Sequence, residues 1–305
     1  MEETYRSRYE KEKRKRRKQR QKRLVFLCVA LFLLSALIFT LRQVFFSVEE
    51  ALDEPPVSYG IDSNIPHSLK AISTLEDTFH LELVNFEHPL RRSPNYQQFS
   101  TAFPYVHAQY AYLLLYTPAL DQIKCWFARA YAENIASFFI ASGYRDPDTQ
   151  ETLYLNADDA TLVNPPGHSE HQTGLAADIA VPGLLFSEMA NTTEALWLAE
   201  TAWEYGFILR YTENTQRITG IVHEPWHFRF VGLPHAYYIW QNNLVLEQYL
   251  SRLRNNGVTH IQFLGHNYEV WYQTPIDGKI YTPDTLPFTL SSDNMGGFII
   301  TIRIT

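Results

Sequence analysis

Apolar residues recur at helical spacing from Pro118 to about Ala141, through Ile123, Trp126, Phe127, Ala130, Tyr131, Ile135 and Phe138. The pattern predicts one long helix, with Pro118 in its first turn and Gly143 as its stop. A second helix is expected from Thr193 to Tyr205, ended by Gly206, and a third from Pro234 to about Arg254, ending near Gly257. Their aromatic stripes read as core-facing scaffold. Short apolar runs bounded by turn residues, GLAADIAV (174–181) and HFRFV (227–231), predict strands. The tail alternates apolar and polar positions in HIQFLGHNYEVWYQ, GKIYTP and GGFIITIRIT, which predicts antiparallel pairs from about residue 255 onward. The body is therefore expected to be α+β.

At the N-terminus the pattern changes. The run LVFLCVALFLLSALIFTL (24–41) has no charged residue, and VFF (44–46) follows soon after. That is close to the roughly 20 apolar residues a membrane-spanning helix needs. Residues 1–23 carry 12 Lys/Arg against 4 Asp/Glu, which is expected to hold this end in the cytoplasm and the body outside. A signal peptide is the rival reading, but its apolar core is typically about 7–15 residues. The segment RQVFFSVEEALDEPP also has no A-x-A cleavage pattern. After this segment, residues 47–75 are acidic, hold Pro55, Pro56 and Pro66, and keep no period, so they read as a linker.

Composition adds two points. Beyond residue 23 the chain has 14 Lys/Arg against 29 Asp/Glu, and a basic tail on an acidic body is not the profile of a nucleic-acid binder. Cys28 lies in the apolar run, so Cys125 has no partner for an intramolecular disulfide in the body. Its place in the helical pattern reads as a buried core position.

Candidate chemistry lies in two stretches, GHSEHQTGLAAD (167–178) and HEPWHFRFVG (223–232). His171, Asp178 and His227 form a possible His/Asp/His set, and three protein ligands with an open fourth position characterise catalytic zinc sites. Hydrolysis also needs a base that is not itself a ligand, and Glu224 fits that role. Pro225 biases Glu224 away from helix, while strand alternation would send 224 and 227 to opposite faces. Facing one metal would require an irregular backbone. The alternatives are hydrogen-bonded core histidines and a small-residue turn leading into a strand.

SEHQTGLAAD followed by EPWHFRFVG resembles the S-x-H-x-x-G-x-A-x-D and E-P-W-H pair of the VanY-type metallo D-alanyl-D-alanine carboxypeptidases. SGYRDPDTQ (142–150), YGFILRYTENTQRITGI and VGLPHA are also similar to segments of that family, over roughly residues 120–300. The resemblance implies an α+β zinc carboxypeptidase-like domain. It would have a central antiparallel sheet flanked by helices, a β-rich C-terminal extension and a single N-terminal transmembrane helix. The segments would be a basic tail (1–23), an anchor (24–46), a linker (47–75), a catalytic domain (76–254) and the extension (255–305).

By the same resemblance His171, Asp178 and His227 hold Zn2+, and Glu224 is the catalytic base. Arg145 holds the substrate and stabilises the developing oxyanion, while Ser169, Gln150 and Tyr211 help bind the peptide's C-terminal end. Trp226 reads as a packing wall, and His168 and His223 as bystanders. His223 stands where relatives usually carry an aromatic residue; if charged, it would shift the pKa of Glu224. The implied activity is removal of the terminal D-Ala from peptidoglycan stem peptides or their lipid-linked precursors at the outer face of the cell membrane. Rivals are an L,D-carboxypeptidase, an endopeptidase, a non-catalytic zinc-binding domain and a tethered structural protein.

Overall fold

The computed structural model describes residues 65–92, 95–135, 138–157 and 163–304. The apolar segment 24–46 lies outside them, and among the described residues no helix is long and apolar enough to cross a membrane.

In chain order the strands are β1 (His67–Ala71), β2 (Phe99–Thr101), β3 (Leu114–Tyr116), β4 (Phe139–Ser142), β5 (Ala176–Ala180), β6 (Phe207–Leu209) and β7 (His227–Phe230). The C-terminal part adds β8 (Val258–Phe263), β9 (His266–Gln273), β10 (Lys279–Pro283), β11 (Phe288–Ser292) and β12 (Phe298–Arg303). A four-stranded antiparallel sheet in the order β4-β5-β7-β6 forms the centre. A second antiparallel sheet, β11-β12-β9-β8, forms the extension, and β2-β3 and β1-β10 make two-stranded pairs. The expected α+β class and antiparallel sheets are therefore present.

All five residues of β5 are buried, as are all four of β7. One face of this sheet packs on helix Thr117–Ala132, where Trp126 meets Phe228 at 5.2 Å and Phe207 at 5.7 Å between ring centroids. The other face carries the polar residues of the site. This explains why β5 reads as a continuous apolar run with one aspartate in it.

The long helix ends at Ala132, well before the expected Ala141. Asn134 takes a left-handed φ of 57°, its N–H donates to the Tyr131 carbonyl, and Ile135 N–H reaches back to Ala130 O. That is a Schellman stop with asparagine in the glycine position. Beyond it the chain leaves the helix, and β4 begins at Phe139, just after Phe138. Gly143 does not cap the helix; it ends β4, where a Cβ would lie 2.4 Å from Leu114 O. Tyr131 is 84% exposed. The third helix is two, His235–Gln241 and Leu246–Asn255. The break repeats the first one: Asn243 has φ 54°, its N–H donates to Trp240 O, and Leu244 N–H donates to Ile239 O. The second helix runs Thr193–Thr201, tightens to a 3-10 turn over Ala202–Tyr205 and stops at left-handed Gly206, as expected.

Two further expectations change. Part of the expected linker is folded: β1 pairs with β10, and a 3-10 turn covers Ile72–Thr74. Cys125 is exposed. On its helix the buried face is Ala119, Leu120, Ile123, Trp126 and Ala130, and position 125 falls opposite it.

Candidate metal centre and active site

Register in the central sheet assembles the site. Ser142 on β4 pairs with Asp178 on β5, and Asp178 pairs with His227 on β7. Residues opposite one another share a face, so these three side chains project together. His171 arrives from a 3-10 turn over Glu170–Thr173, which ends at Gly174 with φ 75°. A Cβ on Gly174 would lie 2.8 Å from the Phe99 ring, so both the backbone and the close approach call for glycine.

Glu224 reaches the site through a turn rather than a strand. The His227 N–H donates to the Glu224 carbonyl at 3.2 Å, which closes a four-residue turn with Pro225 at its second position. The turn brings Glu224 Oε2 to 3.7 Å from His227 Nδ1. This is the irregular backbone that the motif required. The Glu224 N–H is tied to Tyr211 O at 3.0 Å.

The three candidate ligands are buried, and their ligand atoms lie within 4.8 Å of one another. His171 Nδ1 lies 2.6 Å from Gly143 O; a carbonyl only accepts, so Nδ1 carries the proton. The Nε2 lone pair then faces Asp178 Oδ2 at 3.2 Å. Neither His171 Nε2 nor Asp178 Oδ1 makes a hydrogen bond, although both are buried. Two electron-rich atoms held together out of water fit a cation between them. Burial lowers the His171 pKa to about 4, so the ring is neutral and ready to ligate. Burial opposes ionisation of Asp178, but His171 and His227 outweigh it and hold the carboxyl well below its ordinary range.

His227 is fixed from behind. Its Nε2 lies 3.4 Å from Glu170 Oε2, and its Nδ1 lies 3.1 Å from Asp178 Oδ1. Burial disfavours the charged ring, but the neighbouring carboxylates of Asp178 and Glu170 prevail and raise its pKa to about 9. A metal at Nδ1 must displace that proton. Metal affinity is therefore expected to weaken as pH falls below about 9, approaching tenfold per unit. Competition with a chromogenic chelator between pH 6 and 9 measures this. Affinity independent of pH across that range would mean that the His227 ring is already neutral there and that no proton has to leave.

Burial pushes the Glu224 pKa up to about 7, with His227 and Arg145 opposing and Asp178 and Glu170 reinforcing the rise. A carboxyl poised there can take and return a proton near neutrality. His223 instead faces the exposed Glu213 at 3.9 Å.

Arg145 completes the cluster. It donates to Asp178 Oδ2, Ser142 Oγ and Gln150 Oε1, each at 3.0 Å. Three of its five N–H groups are thus held, which fixes the guanidinium plane. Gln150 is fully buried, and its Nε2 donates to Asn164 O at 2.6 Å. Both ends of its amide are engaged within the protein, and its oxygen helps to hold Arg145. Ser169 is buried beside the His171 turn. Tyr211 is buried with its ring 4.8 Å from that of His227. Trp226 stacks on Phe186 at 4.8 Å, as a packing wall should. His168 Nδ1 meets Asn85 O at 2.9 Å, a structural contact.

Sequence reasoning missed Glu170. Its side chain is fully buried and receives Arg210 Nε at 2.8 Å and Arg229 Nη1 at 2.7 Å on one oxygen. Both guanidiniums are fully buried. Burial works against the charge, but the two arginines and His227 overcome it and hold the carboxyl far below its usual range. Arg210 continues to Glu247 at 2.6 Å, and Arg229 donates to the carbonyls of His80, Glu82 and Phe230. The available signal was Arg229 between two phenylalanines in HFRF: a charged residue inside a buried strand needs a partner.

Residues 113–233 match the model of the family described as VanY, D-alanyl-D-alanine carboxypeptidase. A D-alanyl-D-alanine carboxypeptidase of Enterococcus faecium is 39% identical over 170 residues, covering 55% of this chain and 54% of that protein. The chain thus matches about half the length of that relative. The Bacillus subtilis (strain 168) protein YodJ is 32% identical over 216 residues, covering 64% of this chain and 77% of its own length. Among solved structures, the vancomycin-resistance D,D-dipeptidase VanXYg, in complex with a D-Ala-D-Ala phosphinate analogue, superposes with a TM-score of 0.68 at 27% identity. That superposition covers 79% of this chain and all of the other. The chain belongs to the VanY family of D-alanyl-D-alanine carboxypeptidases.

Proposed function

We propose that this protein is a zinc D,D-carboxypeptidase that removes the terminal D-Ala from peptidoglycan stem peptides ending in D-Ala-D-Ala. The observation that carries the reading is the buried His171, Asp178 and His227 set with a further carboxylate, Glu224, beside it at 3.7 Å. Three ligands and a separate base match a hydrolytic centre, whereas a structural zinc site closes with four protein ligands. The E. faecium relative, named for the same activity, supports the choice of substrate.

His171, Asp178 and His227 would hold the zinc, which would supply Lewis acidity and make water more acidic. The protein's own groups do the rest. Glu224 takes a proton from the attacking water and returns it to the departing amino group of D-Ala. Arg145, held flat by Ser142, Gln150 and Asp178, directs its remaining N–H groups to the substrate oxygen on which charge develops. Glu170 keeps the His227 ring oriented through Nε2. Ser169 and Tyr211 line the end of the site that receives the terminal residue.

The basic, then apolar N-terminus supports a single-pass anchor, with the N-terminus cytoplasmic and the catalytic body at the outer face of the membrane. There the substrate would be newly made wall or its lipid-linked precursors.

The test is incubation of the protein with muramyl pentapeptide and, separately, with tetrapeptide, followed by mass spectrometry. Loss of one alanine from the pentapeptide alone is expected. Loss from the tetrapeptide instead would make the enzyme an L,D-carboxypeptidase, and internal cleavage would make it an endopeptidase.

A further inference from the structure

The connection between β2 and β3 carries four exposed aromatic residues in ten positions: Phe103, Tyr105, Tyr110 and Tyr112. It is not a loose loop. Ala102 N–H donates to Leu113 O, Ile140 N–H to His107 O, Gln109 N–H to Ile140 O and Leu113 N–H to Tyr110 O. Val106 and Leu113 are buried beneath it. A tethered segment that anchors itself with aliphatic residues and turns aromatics outward marks a contact surface.

Tyr110 and Tyr112 stand out within it. Their rings stack at 5.5 Å with 14° between planes, while the residues remain 52% and 75% exposed. Tyrosines fixed in this way offer an apolar face with hydroxyls at its rim at little cost in conformational entropy.

Their position connects them to the metal centre. Tyr144 N–H donates to Leu114 O at 2.8 Å, and Arg145 follows Tyr144 directly. Two chain steps from Tyr112 to Leu114, one ladder spacing and one further step place Tyr112 within about 16 Å of Arg145, backbone to backbone. Four extended residues, the distance from a scissile carbonyl at the fourth stem position back to the sugar, span roughly 14 Å.

We infer that the Tyr110–Tyr112 pair is a platform for the sugar ring from which the stem peptide hangs. The inference rests on the stem-peptide reading above. A pyranose presents C–H groups on its face and hydroxyls at its edge, which the phenol faces and phenol oxygens complement. With its carboxyl used in the amide link to the stem, the sugar is neutral, so no charge is demanded of the surface. A membrane surface is the competing partner for exposed aromatics. Against it, Lys124 beside this patch lies 4.3 Å over the Tyr105 ring and is already paired with Asp121. A contact with anionic lipid would call for a basic rim.

The experiment compares kcat/KM of the full chain on muramyl pentapeptide and on the same pentapeptide without sugar. The wild type is expected to prefer the sugar-bearing substrate by roughly tenfold, or about 1.4 kcal/mol, expressed in KM. In Tyr110→Ala/Tyr112→Ala the ratio should fall to near one, whereas Tyr112→Phe should keep it, because the stacking face remains. No preference in the wild type, or full preference in the double variant, overturns the proposal. Titration with the same sugar carrying its carboxyl capped as a simple amide, followed by saturation-transfer NMR, reads the platform without any hydrolysis. Binding there is expected in the wild type and lost in the double variant, even if neither peptide is cleaved and the carboxypeptidase reading fails. Co-sedimentation with phosphatidylglycerol vesicles that is lost in the double variant, while the sugar preference survives, assigns the patch to the membrane and overturns the proposal.

Discussion

Glu224→Ala is expected to keep zinc at the wild-type level and to lose D-Ala release by roughly 10²–10⁴-fold, the usual share of a positioned general base. The separation of the two effects follows from the geometry. Glu224 is outside the His171, Asp178 and His227 set, and its contact with that set is a 3.7 Å approach to His227. Removing its carboxylate leaves His171 bonded to Gly143 and His227 oriented by Glu170. The turn that carries it is held by backbone bonds, from His227 N–H to Glu224 O and from Glu224 N–H to Tyr211 O, which the substitution spares. Zinc content by mass spectrometry beside single-turnover kinetics checks both halves. Retained turnover would mean that another group takes the proton, and lost zinc would make Glu224 a ligand. The wild-type rate should fall with acid as Glu224 gains its proton, with the limb at or below about 7, because a bound cation lowers the pKa further.

Glu170→Gln is expected to be the most destabilising single change near the site, by about 3–5 kcal/mol, because it leaves buried charge uncompensated. The neutral amide is nearly the same shape, so the loss is one of charge rather than volume. Arg210 would keep the Glu247 carboxylate, but Arg229 would keep only neutral acceptors, the amide oxygen and the carbonyls of His80, Glu82 and Phe230. The same change removes the carboxylate behind His227 Nε2, and such supporting groups are worth roughly 10–100-fold in metal affinity. Denaturant unfolding of the metal-free protein measures the first effect, and a chelator competition the second. The sign with pH is fixed by the depressed pKa of Glu170. Its contribution is present above the ordinary carboxyl value of 4.5 and is lost as pH falls through the lower folded value. A metal-free variant as stable as the wild type would mean that the arginines do not depend on this charge.

The metal set was legible through the resemblance of SEHQTGLAAD and EPWHFRFVG to the VanY motifs; residue types and spacing by themselves left hydrogen-bonded core histidines open. Pro225 announced that Glu224 was not helical, yet not that a turn would bring it back beside His227. That depends on a hydrogen bond between backbone atoms, which no side-chain pattern encodes. The helix ends were missed twice for one reason. Asn134 and Asn243 fill the left-handed stop that glycine usually marks, and the apolar residues after Asn134 continued the helical period by chance into β4. Cys125 was placed in the core by neighbourhood rather than by face. Glu170 escaped because a carboxylate beside a metal motif reads as solvated; its partners, Arg210 and Arg229, are 40 and 59 residues away. The strand β1 was hidden in an acidic, proline-bearing stretch because its partner, β10, lies more than 200 residues downstream.

On the reading proposed above, hydrolysis requires zinc in the His171, Asp178 and His227 cluster. The most direct measurement is a titration of zinc into metal-stripped protein, following D-Ala release from a pentapeptide ending in D-Ala-D-Ala. Activity is predicted to rise in proportion to zinc and to level off at one ion per chain, while His171→Ala neither binds the ion nor turns over. Full activity in the stripped protein, or in His171→Ala, would show that hydrolysis does not depend on this site.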